Sequence, residues 1–145
     1  MGGLTVRHGA ASAGLVRRRL VEDLNRLGLA SELVDSAALL VSELIGNAVR
    51  HARPLPGNVL RVSWELARDR LLLRVTDGGS TDQPRMKEAG PQDTRGRGLA
   101  IVDAVAAAWG VDRSRHAVGM SSTVWAELPM TRARARPAAA AGRRR

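Results

Sequence analysis

Apolar residues at Leu15, Val16, Leu20, Leu24 and Leu27 recur at helical spacing, with Arg17, Arg18, Glu22 and Asp23 set largely on the other face. That pattern predicts an amphipathic helix from Ser12 to Leu27, ended by Gly28. A wider stripe follows in Val34, Ala37, Ala38, Val41, Leu44, Ile45 and Ala48, behind a polar start at Ser31, Glu32 and Asp35. It predicts a second helix up to about Ala52, halted by Pro54, Pro56 and Gly57. The period then changes to two. Leu60, Val62, Trp64 and Leu66 alternate with Arg61, Ser63 and Glu65, as in a half-buried strand over Val59 to Leu66. Arg68-Asp69-Arg70 makes a polar turn into the more continuous run Leu71 to Thr76, so the pair reads as an antiparallel hairpin. Leu4 to Arg7 suits an edge strand.

Ser80 to Arg95 contains Gly90, Pro84, Pro91 and many charges without periodicity, the mark of a long surface loop of the kind that often serves as a lid. Apolar spacing resumes at Leu99, Ile101, Val102, Val105 and Ala106, predicting a third helix opened by Gly96-Arg97-Gly98 and closed near Gly110. Val111 to Arg115 and Ser121 to Leu128 complete a last hairpin, with its turn at Ala117 to Gly119. From Thr131 the chain is almost wholly Arg, Ala and Pro, which predicts a disordered tail over 131–145 behind one domain over 1–130.

Composition narrows the classes. A chain of 145 residues with 44% hydrophobic and 26% charged residues has enough material for one globular core. The absence of cysteine removes disulfides, thiolate metal sites and a cysteine nucleophile. No stretch approaches the roughly 20 apolar residues of a bilayer span, and Met1 to Ala10 lacks the apolar region of a secretory leader, so a cytoplasmic location without membrane association is expected. The net charge of +9 points towards nucleic acid until its distribution is read. Arg132, Arg134, Arg136, Arg143, Arg144 and Arg145 lie in the tail, leaving 17 of the 23 basic residues against 14 acids. With Trp64, Trp109 and Trp125 as its whole aromatic inventory, the chain has few rings for stacking bases, and nucleic acid becomes the weaker reading.

Three groups of residues could carry chemistry. Glu43, Asn47 and His51 are spaced four apart on the second helix, so they share one side of it. Beside an apolar stripe, a carboxylate and an amide call for a partner, and Mg²⁺ is one that takes few protein ligands and keeps waters and phosphates. A solvated helix edge accounts for the same spacing. Asp77-Gly78-Gly79 follows a buried strand, where a carboxylate can accept from an exocyclic amine and glycines admit a flat ring; an ordinary turn accounts for it equally. Gly96-Arg97-Gly98-Leu99 opens a helix, an anion-binding position, but lacks the third glycine of a dinucleotide fold.

Taken in order, "SELIGNAVRHA", "VTDGG", "RGRGLAIVDAVAAAWGV" and "STVWAELP" resemble the GHKL, or Bergerat-fold, ATPases, in particular the small anti-sigma factor serine/threonine kinases and their bacterial ATP-binding relatives. The resemblance spans about Leu4 to Pro129. It implies a two-layer α/β (α+β) sandwich, with a mixed, mostly antiparallel sheet covered on one face by about three helices. It also implies roles: Asn47 for Mg²⁺, Glu43 as the catalytic base, Asp77 for the adenine amino group, and Gly79 for room at the ring. Gly96, Arg97, Gly98 and Leu99 fall on the phosphate side, and Thr123 on a strand near the adenine. No chemical role transfers to His51, which reads as structural.

The function implied is that of a Mg-ATP-dependent anti-sigma factor, commonly a homodimer, that binds a sigma factor and phosphorylates a serine on a STAS-type antagonist. Thr81 stands where many relatives have a further glycine, and the lid is short of glycines. Those departures favour the alternative of a non-catalytic ATP-binding module. Nucleic-acid binding through the arginine tail is a third reading, against a merely solubilising tail. A complete sensor histidine kinase is a fourth, but His8, His51 and His116 do not lie in an added helical pair of the kind that carries its phospho-accepting histidine.

Overall fold

The structure, a computed structural model, describes residues 2–79, 94–117 and 119–130. The expected lid over 80–93 and the tail from Thr131 lie outside the described residues. The chain runs β1 (Gly2–Arg7), α1 (Ser12–Arg26), α2 (Ser31–His51), β2 (Val59–Ala67), β3 (Arg70–Asp77), α3 (Thr94–Val105), β4 (Ala108–His116) and β5 (Gly119–Pro129). The strands form one five-stranded sheet in the order β1-β2-β3-β5-β4. Each of the four pairings is antiparallel, so the sheet carries none of the parallel pairing that a mixed sheet would have among the described residues.

The alternation read from the sequence is the reason the molecule has two layers. Leu60, Val62 and Trp64 on β2, Leu71, Leu73 and Val75 on β3, and Ala126 and Leu128 on β5 are buried on one face. Against them lie Val16, Leu20 and Leu24 of α1 and Val34, Ala37, Leu40, Val41, Leu44, Ile45 and Ala48 of α2. Each aliphatic side chain fully withdrawn from water contributes about 1.5–3 kcal/mol before the entropy of ordering is set against it. The intervening positions Arg61, Ser63, Arg74, Thr76 and Thr123 point to the opposite, more polar face. Trp64 is 1% exposed, and its indole N–H donates to Asp23 Oδ2 of α1 across 3.1 Å, which satisfies the single polar atom that burial would otherwise strand.

Two expectations shift. The third helix ends at Val105 instead of near Gly110, and β4 begins at Ala108 instead of Val111. The alanines at 106–108 favour helix locally, but β5 offers eleven residues of edge, and Ala107 N–H donates to Glu127 O across 2.8 Å as the new ladder begins. Trp109 Nε1 also donates to Asp103 Oδ1 across 3.0 Å, tying the incoming strand to α3. At its other end α3 starts at Thr94, so Gly96 and Gly98 lie within its first turns and do not precede it. Among the described residues, no helix is long and apolar enough to cross a membrane.

Candidate nucleotide site

Helix α2, which carries Glu43 and Asn47, packs against α1, α3, β3 and β5. Both residues are half-buried, and His51 is exposed at the helix's last position. Asn47 Oδ1 accepts from Arg50 Nη2 across 3.2 Å, which fixes the orientation of the amide. The other side of the same amide, Nδ2, is buried without a hydrogen-bond partner among the described residues. An orphaned buried donor costs about 1–3 kcal/mol, and an acceptor such as a phosphate oxygen fits it.

Asp77 ends β3 and is 4% exposed. Its Oδ1 accepts the Gly79 N–H across 2.7 Å. Burial nevertheless prevails, pushing the carboxyl up from 3.8 to about 6 against the opposing pull of that N–H and of His8. A carboxylate held this way at a strand end is a strong acceptor for a neutral amine, because the donor restores the stabilisation that water no longer supplies.

The two halves are joined by backbone. Leaving α2, Arg53 donates its N–H to Gly79 O across 2.8 Å and accepts the Gly78 N–H on its own carbonyl across 2.7 Å. This clasp brings the chain so close that a Cβ on Gly78 would collide with the Pro54 carbonyl. Gly79 has φ +88°, the left-handed region that glycine tolerates. Both glycines of the Asp-Gly-Gly segment are thus required by its geometry. His8, just after β1, reaches the same junction, with Nε2 3.2 Å from Ala48 O and 3.0 Å from Ala52 O.

Thr123 does not join this group. Its hydroxyl lies 2.7 Å from Thr76 Oγ1, on the sheet face opposite Asp77. Register gives the reason: Asp77 pairs with Ser122, so Ser122, 8% exposed, shares the Asp77 face, and Thr123 shares the Thr76 face. Gly96, Arg97, Gly98 and Leu99 lie in the first turns of α3, and their side chains fall outside the described residues. The sequence reading also passed over His8, Arg50 and the Arg53-Pro54 exit. For Ser122, the strand-pairing register was the missing signal; for His8, nothing local in the sequence announces a contact with residues 40 and 44 positions away.

Among the described residues no cluster of three or more His, Asp or Glu side chains forms a metal cage. One amide oxygen at Asn47 suits Mg²⁺ carried in with phosphates, the usual mode for that ion. Its unpartnered Nδ2 fits the accompanying phosphate oxygens.

A one-sided antiparallel sheet with helices on one face, a buried strand-end carboxylate and a polar helix face clasped to it define a two-layer α/β domain. The sequence matches the family described as Histidine kinase-like ATPase domain over residues 7–123, and the chain belongs to that family. A histidine kinase of Acinetobacter baumannii, AdeS, is similar in structure at 16% identity and a TM-score of 0.47, over 90% of this chain and 68% of that one. No curated protein matches the chain in sequence.

Proposed function

We propose that this chain is a Mg-ATP-binding regulatory protein that acts as an anti-sigma factor and transfers the γ-phosphoryl group of ATP to a serine or threonine of a STAS-domain antagonist. The observation that carries the reading is the clasp between Arg53 and Gly78-Gly79, which joins the buried Asp77 to the end of the helix bearing Glu43 and Asn47. Asp77 accepts the adenine amino group, and Asn47 holds the phosphate end. Bound Mg²⁺ supplies charge neutralisation across the phosphates. Glu43, one turn before Asn47, takes the proton of the attacking hydroxyl as its oxygen bonds to the γ-phosphorus and the bond to the ADP oxygen breaks. The protein works in the cytoplasm as a homodimer and exchanges a sigma factor for the antagonist.

The test is transfer of label from ATP to candidate antagonists by the purified chain. Glu43→Ala is expected to lower transfer by about 10²–10⁴-fold with ATP binding retained. Unchanged transfer removes Glu43 from this role.

One observation favours a second reading, a non-catalytic module that changes partners on binding nucleotide: the Asn47 oxygen is already engaged by Arg50. Sustained ATP turnover by the purified protein counts against it.

A further inference from the structure

His8 has no part in the scheme above, yet its side chain stands where the two halves of the site meet. Both groups within reach of Nε2, Ala48 O at 3.2 Å and Ala52 O at 3.0 Å, are acceptors, so Nε2 carries the proton and forks it between them. These carbonyls belong to the last turn of α2 and its C-cap, where Ala52 turns extended at φ −125° and ψ 162°. Ala48 O already accepts the Ala52 N–H across 3.0 Å, so the imidazole adds a second donor there and ties Ala52 O, just past the helix, to the same proton. Ala48 follows Asn47, and Ala52 precedes Arg53, whose two backbone bonds hold Gly78 and Gly79.

The backbone that carries the imidazole is itself held. The His8 backbone N–H donates to Asn58 O across 2.9 Å, and the peptide before it is anchored by the Ser12 hydroxyl, which donates to Arg7 O across 2.6 Å. His8 also exerts a small electrostatic pull that lowers the Asp77 carboxyl. A donor fixed in this way sets the angle at which the chain leaves α2, and with it the place of the Asp77 turn relative to Asn47.

We propose that His8 is a positioning residue for base recognition: by clamping the α2 exit it sets Asp77 at the distance from Asn47 that a 6-aminopurine triphosphate spans. This rests on the nucleotide reading of the site. A purine bearing oxygen at position 6 presents an acceptor where adenine presents its amine, so discrimination between ATP and inosine triphosphate reports the carboxylate's placement.

Affinities for Mg-ATP and Mg-ITP are measured by calorimetry on the full chain and on His8→Leu, His8→Gln and Asp77→Asn. The unaltered protein is expected to prefer ATP by roughly tenfold or more. His8→Leu is expected to cut that preference by about threefold or more, whereas His8→Gln, whose amide nitrogen reaches the same carbonyls, keeps it within about twofold. A merely structural role weakens both nucleotides alike and leaves the ratio unchanged. Retention of the ratio in His8→Leu with its loss in Asp77→Asn overturns the proposal. Asp77→Asn binding both nucleotides as the unaltered chain does sinks the nucleotide reading itself, a separate result. Where His8→Leu does not fold, the Nε2–H resonance of the unaltered protein decides: a shift on adding ATP but not inorganic tripolyphosphate supports the clamp, and no shift with ATP overturns it.

Discussion

Arg50 Nη2 donates to Asn47 Oδ1 across 3.2 Å, so the amide oxygen assigned to the metal already faces a cation belonging to the chain. A magnesium ion at that oxygen competes with the guanidinium, both being cations drawn to the same acceptor. Removing the competitor in Arg50→Ala is expected to lower the Mg²⁺ concentration for half-maximal ATP binding by about two- to fivefold. Because Arg50 is exposed, stability should move by no more than about 0.5 kcal/mol. Calorimetric ATP titrations across a magnesium series check it, and a higher magnesium requirement in the variant refutes the competition.

Asp77→Asn separates folding from binding. The amide keeps an oxygen for the Gly79 N–H and removes a buried charge whose pKa shift from 3.8 to about 6 corresponds to roughly 3 kcal/mol of unfavourable burial at neutral pH. The variant is expected to unfold at higher urea than the unaltered protein at pH 7.5 while binding ATP at least about tenfold more weakly. A destabilised variant shows that the carboxylate supports the fold and is not held there against it.

The same group predicts opposite pH trends for stability and affinity. Its folded pKa lies above the unfolded value, so the folded state holds the proton more tightly. The Asp77 contribution is therefore most favourable below pH 3.8 and is lost as pH rises through about 6. Acceptance from the adenine amine needs the ionised form, so ATP affinity rises across that upper limit. Urea midpoints of the unaltered protein and Asp77→Asn between pH 4 and 7.5 should diverge as pH increases. A constant gap between them means that Asp77 does not titrate in this window.

Local pattern made much of this fold readable, because each burial stripe matches one element's period. The stripe from Val34 to Ala48 gave α2 within a residue of its C-terminal end, and alternation gave the β2-β3 hairpin. What stayed hidden depends on pairing across the chain. Whether Ser122 or Thr123 faces Asp77 is a question of register, since both fit one strand equally and a shift of one position exchanges the faces. The alanines at 106–108 favour helix until the β5 edge is present to compete for them. Glu43, Asn47 and Asp77 stand out in the sequence as candidate polar groups, but the clasp that joins their elements is backbone bonding and leaves only its glycines as a trace.

Those glycines allow the clasp to be tested by two substitutions that differ in kind. At Gly78 an added Cβ meets the Pro54 carbonyl carbon at 2.9 Å and Arg53 O at 3.1 Å, backbone atoms that cannot swing aside as a side chain would. Gly78→Ala must open the junction, at a cost of about 2–4 kcal/mol, and moves Asp77 away from α2. At Gly79 the nearest atom among the described residues is Met120 Cβ at 3.8 Å, an ordinary contact, so the penalty of about 1–2 kcal/mol comes from φ +88°. Gly78→Ala should therefore lose more stability in urea and also lose ATP affinity by about tenfold or more, while Gly79→Ala keeps most of its binding. The reverse order would place the coupling between sheet and helix somewhere other than the Arg53 junction, because steric closure at Gly78 is what requires the two elements to move together.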